Sequence, residues 1–148
     1  NHKRLQEKAR LLSDKIHELT DFIVNILQTT DVGAELKARA AYHPSCHLTR
    51  LLGVREPPLS LLSQVSGLEL VEFQGQNRCC GFGGTFSVKL GALSGAMATE
   101  KVESIKEAGA EYLIGADAGC LMTLQGVIHR QKYPIKVVHI AQLLMGNC

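Results

Sequence analysis

Two adjacent cysteines, Cys79 and Cys80, lie beside a glycine-rich run over residues 81–84. Neighbouring cysteines are poorly placed to pair with each other, because a disulfide requires separated Cα atoms and a defined torsion about the sulfurs. They can, however, direct two thiolates into one small volume. Glycines beside them allow positive φ and close approach of the backbone, and successive N–H groups ahead of a helix favour negative charge. The pattern suits a negatively charged iron–sulfur cluster, and the alternative is that both cysteines are small buried hydrophobes.

Two more cysteines, Cys46 and Cys120, share with this pair a position just after a predicted strand. In a parallel sheet the loops that follow the strands emerge at one edge, where open α/β sheets bind their ligands. Cysteines that merely fill a core would be expected within strands or on helix faces instead. The placement therefore predicts four thiols gathered in one site. Cys148, which follows no strand, is interpreted as standing outside that site.

Four soft thiolates select an iron–sulfur cluster or zinc. Structural zinc sites usually combine two short C-x(2–4)-C segments, whereas these cysteines are spread over 75 residues. A cluster has several irons to ligate and tolerates wide spacing, so it is the favoured cofactor. Zinc stays open, either as a substitute for the cluster or in a structural module for subunit contact. Thiol–disulfide chemistry at one nucleophilic cysteine is a third hypothesis, which the lack of a C-x-x-C motif weakens.

Two histidines, His43 and His47, lie close to Cys46 in the sequence. One interpretation is that they form local hydrogen bonds in their loop. The other is that an imidazole N–H points at a cluster sulfur and orients the thiolate ligands. His139, at the end of the last predicted strand, is open to the same two interpretations.

The elements that must position these residues follow from hydrophobic spacing. Residues 2–28 are predicted to be helical, with a bend near Ser13 as an alternative, and strand, loop and helix alternate after them. The predicted strands span residues 37–43, 68–73, 112–116 and 135–139, and the predicted helices span residues 48–52, 59–65, 87–108, 121–131 and 141–145. This alternation predicts an α/β fold, a mostly parallel, Rossmann-like sheet with helices on both faces, preceded by an N-terminal helix. The expected division is a helical segment over residues 1–30 and a cysteine-rich α/β domain over residues 31–148.

Composition excludes several classes of function. The chain has 148 residues, 45% of them hydrophobic, and a net charge of +2, which is too small to indicate nucleic-acid binding. The sequence contains no run near the roughly 18 apolar residues that a membrane span needs. Five cysteines are an odd number for a disulfide framework, so a reducing compartment is expected. The chain starts at Asn1 rather than methionine, which indicates a piece of a longer protein.

The order C-x(32)-C-C-G-x(38)-C resembles the cysteine-rich CCG domain of the heterodisulfide reductases. The same domain occurs in iron–sulfur subunits that serve glycolate, glycerol-3-phosphate and lactate oxidation. Residues 42–47, 79–87 and 119–122 are most similar to the second CCG domain of the lactate-utilising members, and the resemblance runs from about residue 40 to 145.

The resemblance implies a cytoplasmic iron–sulfur electron carrier that acts in the oxidation of L-lactate to pyruvate. It implies a [4Fe–4S] cluster on four thiolates, from Cys46, Cys79, Cys80 and Cys120. The implied partners are other subunits of a lactate-oxidising complex, including a second CCG domain. The chain is an oxidoreductase component that is not expected to turn over substrate alone.

One departure from the family pattern concerns Asp117. The general pattern ends in C-x-x-C, and aligning Cys120 with its second cysteine puts Asp117 at the first. A five-thiolate, non-cubane cluster is therefore not expected. Asp117 is interpreted as a weak ligand or, preferably, as an acceptor of backbone N–H groups that shapes the loop. The positions considered for weak ligation or for contacts around the cluster are His43, His47, Asp117 and Gly81.

Overall fold

The structure is a computed structural model that describes residues 2–146. Cys148 lies outside the described residues. The strands are β1 (Glu35–His43), β2 (Ser66–Leu70), β3 (Tyr112–Gly115) and β4 (Lys136–His139). The helices are α1 (His2–Ser13), α2 (Leu19–Asp21, continued by a π-helical turn over Phe22–Ile26), α3 (Glu56–Ser63), α4 (Thr85–Lys89), α5 (Gly91–Glu107), α6 (Ala118–Gln131) and α7 (Ile140–Leu144), with a further π-helical turn over His47–Leu51.

Within residues 2–146, four strands form one parallel sheet in the order β2-β1-β3-β4. The last residue of β1, His43, pairs with Gly115 of β3, and Gly115 pairs with His139 of β4. These three strands therefore end at the same level. Because parallel strands all point the same way, the loops that follow them open at one edge of the sheet.

Alternate residues of β1 face two separate hydrophobic cores. Ala41 packs with residues of α5 and α6 on one face, whereas Ala40 and Tyr42 pack with residues of α3 and α7 on the other. The last four residues of β1, Ala40 to His43, are all buried, as expected for a parallel strand that is covered on both faces. The predicted α/β fold, a parallel sheet covered by helices on both faces, is confirmed.

The N-terminal segment is helical, but it is not one helix. The first helix ends at Ser13, and a new one starts because the carboxylate of Glu18 accepts the N–H groups of Thr20, at 2.8 Å, and Asp21, at 3.1 Å. Every residue of α1 is exposed, and Leu5 remains 63% accessible. The prediction of a continuous helix over residues 2–28 is therefore wrong, and the alternative with a break near residue 13 describes the chain.

Two more boundaries differ from the prediction near the cysteine pair. The helix expected over residues 87–108 is interrupted at Leu90, whose φ of −123° and ψ of 48° are not helical. The strand expected over residues 68–73 ends at Leu70, and a long loop follows it. Phe73 in this loop is buried in the core beside α5 and α6, so its apolar character reflects packing rather than a strand. Within residues 2–146 the helices include none that is long and apolar enough to cross a membrane.

Candidate metal centre

The four candidate cysteines line a single cavity of about 620 Å³ at the carboxyl edge of the sheet. Cys46 lies between β1 and the π-helical turn that follows it, and Cys79 and Cys80 lie in the long loop after β2. Cys120 lies in the first turn of α6, directly after β3. All four are free thiols. Three loops that are distant in the sequence thus bring four thiols to one place.

The adjacent cysteines occupy different depths. Cys80 is buried, with 2% of its surface exposed, and Cys120 is buried at 5%. Cys79 and Cys46 are half-buried. The Sγ atom of Cys79 accepts a hydrogen bond from the N–H of Gly81 at 3.4 Å. The pair thus contributes one thiol to the floor of the cavity and one nearer its rim.

Gly81 allows this arrangement because its backbone lies directly against α5. Its φ is +90°, a conformation that L side chains rarely adopt, and a Cβ atom at this position would lie 2.5 Å from the carbonyl oxygen of Ser94. A side chain at residue 81 would therefore force the loop away from the helix. The close packing keeps the neighbouring Cys80 in the core.

The two buried thiols lie close enough to interact. Hydrogen bonding from Cys120, and to a lesser degree from the nearby His43 imidazole, lowers the pKa of Cys80 against the opposing effect of burial. The same hydrogen bond, together with burial, raises the pKa of Cys120 well above its ordinary value. Burial also raises the pKa of Cys79. Of the two buried thiols, Cys80 is thus the one whose surroundings favour the thiolate, the form that binds metals.

The two histidines near Cys46 differ in position. His43 is 1% exposed, and its imidazole nitrogen and the Sγ atoms of Cys80 and Cys120 all lie within 4.8 Å of one another. The side chain of His47 is 66% exposed, and its Nδ1 atom lies 3.9 Å from Oδ2 of Asp117. Only His43 is therefore enclosed with the buried thiols. His139 accepts the N–H of Ala141 through Nδ1 at 3.2 Å and caps α7.

Asp117 connects two of the loops that carry cysteines. As the N-terminal cap of α6, it accepts the N–H of Cys120 through Oδ1 at 3.0 Å. Its Oδ2 atom accepts the hydroxyl of Ser45 at 3.4 Å, across from the loop after β1. These contacts are the loop-shaping interactions expected of an aspartate at this position. The carboxylate also lines the cavity.

The arrangement of cysteines corresponds to a known family. The profile of the cysteine-rich domain family named CCG matches residues 40–125, which contain all four cysteines of the cavity and more than half of the chain. The chain belongs to the CCG family.

Similar proteins carry the name lactate utilization protein A. The CCG chain is 60% identical to the one from Lysinibacillus sphaericus (strain C3-41) over 141 residues, which cover 95% of this chain and 61% of that protein. It is 56% identical to the one from Bacillus subtilis (strain 168) over 138 residues, which cover 93% of this chain and 58% of that protein. The chain therefore spans about three fifths of the length of these relatives.

One notable residue of this CCG domain, Lys101 of α5, was not predicted from the sequence. It is 4% exposed, and its ammonium donates to the carbonyl oxygens of Gly75, at 2.8 Å, and Gln76, at 3.0 Å, in the loop that leads to the cysteine pair. Burial lowers its pKa to about 8, although the nearby thiols act in the opposite direction. The sequence does contain a sign of this burial, because the spacing of Lys101 from Ala98 and Ile105 places it on the apolar face of the helix.

Proposed function

We propose that this CCG domain binds an iron–sulfur cluster and carries electrons in the oxidation of L-lactate. The observation that supports the cluster is the presence of four thiols, from three separate loops, around one cavity. Soft thiolates in this number select iron–sulfur clusters or zinc, and wide sequence spacing favours the cluster. The link to lactate rests on the name of the relatives.

The residues of the cavity suit such a cofactor. Cys46, Cys79, Cys80 and Cys120 are the proposed ligands, and a [4Fe–4S] cluster is the type that four thiolates favour. Bound there, it would supply one-electron transfer. Phe82 contributes apolar surface to the cavity wall and would limit the access of water, which is one of the factors that set a cluster's potential.

The proposal also covers the cellular location of the protein, its division into domains and its partners. We expect a cytoplasmic protein in which residues 1–30 form a helical segment and residues 31–148 form the CCG domain. The expected partners are further subunits of a lactate-oxidising complex and a second CCG domain. Because an electron carrier needs a partner that dehydrogenates the substrate, the chain alone is not expected to oxidise lactate.

Anaerobic reconstitution with iron and sulfide tests the cluster directly. The wild-type chain should turn brown, bind about four irons and four sulfides, and give an EPR signal on reduction. Cys79→Ala and Cys80→Ala should lose this iron, because each removes one thiol from the cavity. Ser87→Ala removes a hydroxyl that bonds to the carbonyl of Gly84 in the same loop, and it should keep the iron. Full iron content in both cysteine variants would contradict the proposal.

A structural zinc module is the second candidate, because His43, Cys80 and Cys120 form a group with the donor types that zinc binds. The same preparation separates the two functions. Zinc would give a colourless protein with about one metal per chain and no sulfide. Thiol–disulfide chemistry would instead give a reversible disulfide and need no metal.

A further inference from the structure

The side chain of Lys101 is a buried cation without a carboxylate partner. The residue is 4% exposed, and no Asp or Glu oxygen of residues 2–146 lies within 4.0 Å of its ammonium. The adjacent Glu100 is 64% exposed and pairs with Arg78 instead. Removing a charge from water is costly unless an opposite charge compensates it, and buried charges in proteins are usually paired. Lys101 is therefore expected to have a countercharge other than a carboxylate of these residues.

The groups that contact the ammonium satisfy its hydrogen bonds but not its charge. The carbonyl oxygens of Gly75 and Gln76 accept from it at 2.8 Å and 3.0 Å. The centroid of the Phe73 ring lies 5.2 Å from it. All three groups are uncharged. Together they hold the ammonium in one place, against the loop that leads to the cysteine pair.

The same lysine lies beside the metal centre. Lys101 and Cys79 line one small cavity of about 70 Å³. Burial lowers the pKa of Lys101 to about 8, and negative charge on Cys80, Cys79 and Cys120 acts against this effect. Among the described residues, the thiolates are thus the source of negative charge that favours the ammonium form.

We propose that Lys101 is the countercharge of the metal centre and raises the reduction potential of the bound cluster. The inference rests on the proposed function, because the cluster and its thiolates are the anion that Lys101 compensates. Reduction adds one electron from the donor to this anion, and no protein bond forms or breaks. A fixed cation nearby stabilises the reduced form more than the oxidised form, and a buried cation is screened little by water and salt. Lys101 is a positioning and tuning residue and not a ligand.

Another lysine of α5 provides an internal comparison. Lys106 lies in the last turn of the helix, is exposed, and places its ammonium 4.3 Å from the centroid of the Tyr133 ring. Solvent screens this charge, so its removal should affect the cluster little. A general effect of positive charge on α5 would involve both lysines. The proposed effect involves only the buried one.

A redox titration of the reconstituted protein tests the proposal. The wild type, Lys101→Met, Lys101→Gln and Lys106→Met are reconstituted anaerobically with iron and sulfide, and dithionite is the electron donor while EPR records the reduced cluster. Both variants at residue 101 should keep their iron but be harder to reduce on the order of tenfold, which corresponds to about 59 mV for one electron. Lys106→Met should match the wild type.

The two substitutions at residue 101 separate charge from hydrogen bonding. Methionine removes both, whereas the amide of glutamine removes the charge and keeps an N–H donor for the loop carbonyls. A purely structural role would change stability and iron content but leave the potential unchanged. Equal potentials in the wild type and the two neutral variants, an equal shift in Lys106→Met, or loss of the cluster from both neutral variants would each overturn the inference alone. A wild type that binds no iron and sulfide would refute the proposed function, and this inference with it.

Discussion

The contact between Gly81 and Ser94 makes Gly81→Ala a sharp test of how the cysteine loop is held. The added Cβ would lie 2.5 Å from a backbone oxygen, which cannot rotate away as a side chain could. Positive φ costs an alanine about 1–2 kcal/mol, and forcing an extra carbon into packed structure typically costs about 1–3 kcal/mol. The sum, about 2–5 kcal/mol, is a large part of the stability of an ordinary domain.

Urea denaturation of the apo chain measures this loss, and cadmium or iron content measures the displacement of the neighbouring Cys80. Gly84→Ala is the control, since Gly84 also has positive φ, of +57°, but the described residues contribute no atom within 4 Å of its would-be Cβ. The φ of +57° and ψ of −111° at Gly84 are unfavourable for alanine, so this control should lose about 1–3 kcal/mol from backbone strain alone. If Gly81→Ala is no less stable than Gly84→Ala and binds as much metal, the tight contact with α5 does not exist in solution.

Buried polar groups give three more predictions. Burial lowers the pKa of Lys101 to about 8 from its ordinary 10.5, so its charge costs stability at pH 7, and this cost disappears as the pH rises from 8 to 10.5. Over that range the wild-type apo chain should gain up to about 3 kcal/mol of unfolding free energy relative to Lys101→Met, as measured by urea denaturation. Equal pH profiles for the two proteins would contradict this. Asp117→Asn should keep the bound iron and lose little stability, because its amide oxygen can still accept the N–H of Cys120. Asp117→Ala removes this cap and should lose about 1 kcal/mol of stability. Loss of iron from a folded Asp117→Asn protein would instead identify the carboxylate as a ligand. The hydroxyl of Tyr42 is buried without a partner among residues 2–146, so Tyr42→Phe should leave the melting temperature unchanged or raise it, and a clear decrease would reveal a hydrogen bond.

Local sequence order was enough to predict where the four thiols meet. Cys46, the Cys79–Cys80 pair and Cys120 each follow a strand, and all strands of a parallel sheet end at the same edge. The argument needs only the order of elements and not their exact bounds. It therefore holds even though the strand before the pair ends at Leu70, three residues earlier than predicted.

Helix continuity was less predictable, because it depends on single backbone contacts. The spacing of apolar residues over the first 28 positions is helical, but the carboxylate of Glu18 starts a separate helix and the leucines of α1 remain in solvent. Periodicity records which residues share a face. It does not record whether anything covers that face.

The α/β class, the parallel sheet and the four cysteines at one edge could all be predicted from the sequence, because they depend on patterns that are local along the chain. The depth of each group, in contrast, depends on tertiary packing. Cys80 is buried and Cys79 is not because Gly81 packs on α5, and His43 and Lys101 are enclosed by elements more than twenty residues away in the sequence. Burial, and with it the charge and the ligand capacity of a side chain, comes from contacts between distant segments, which no local pattern encodes.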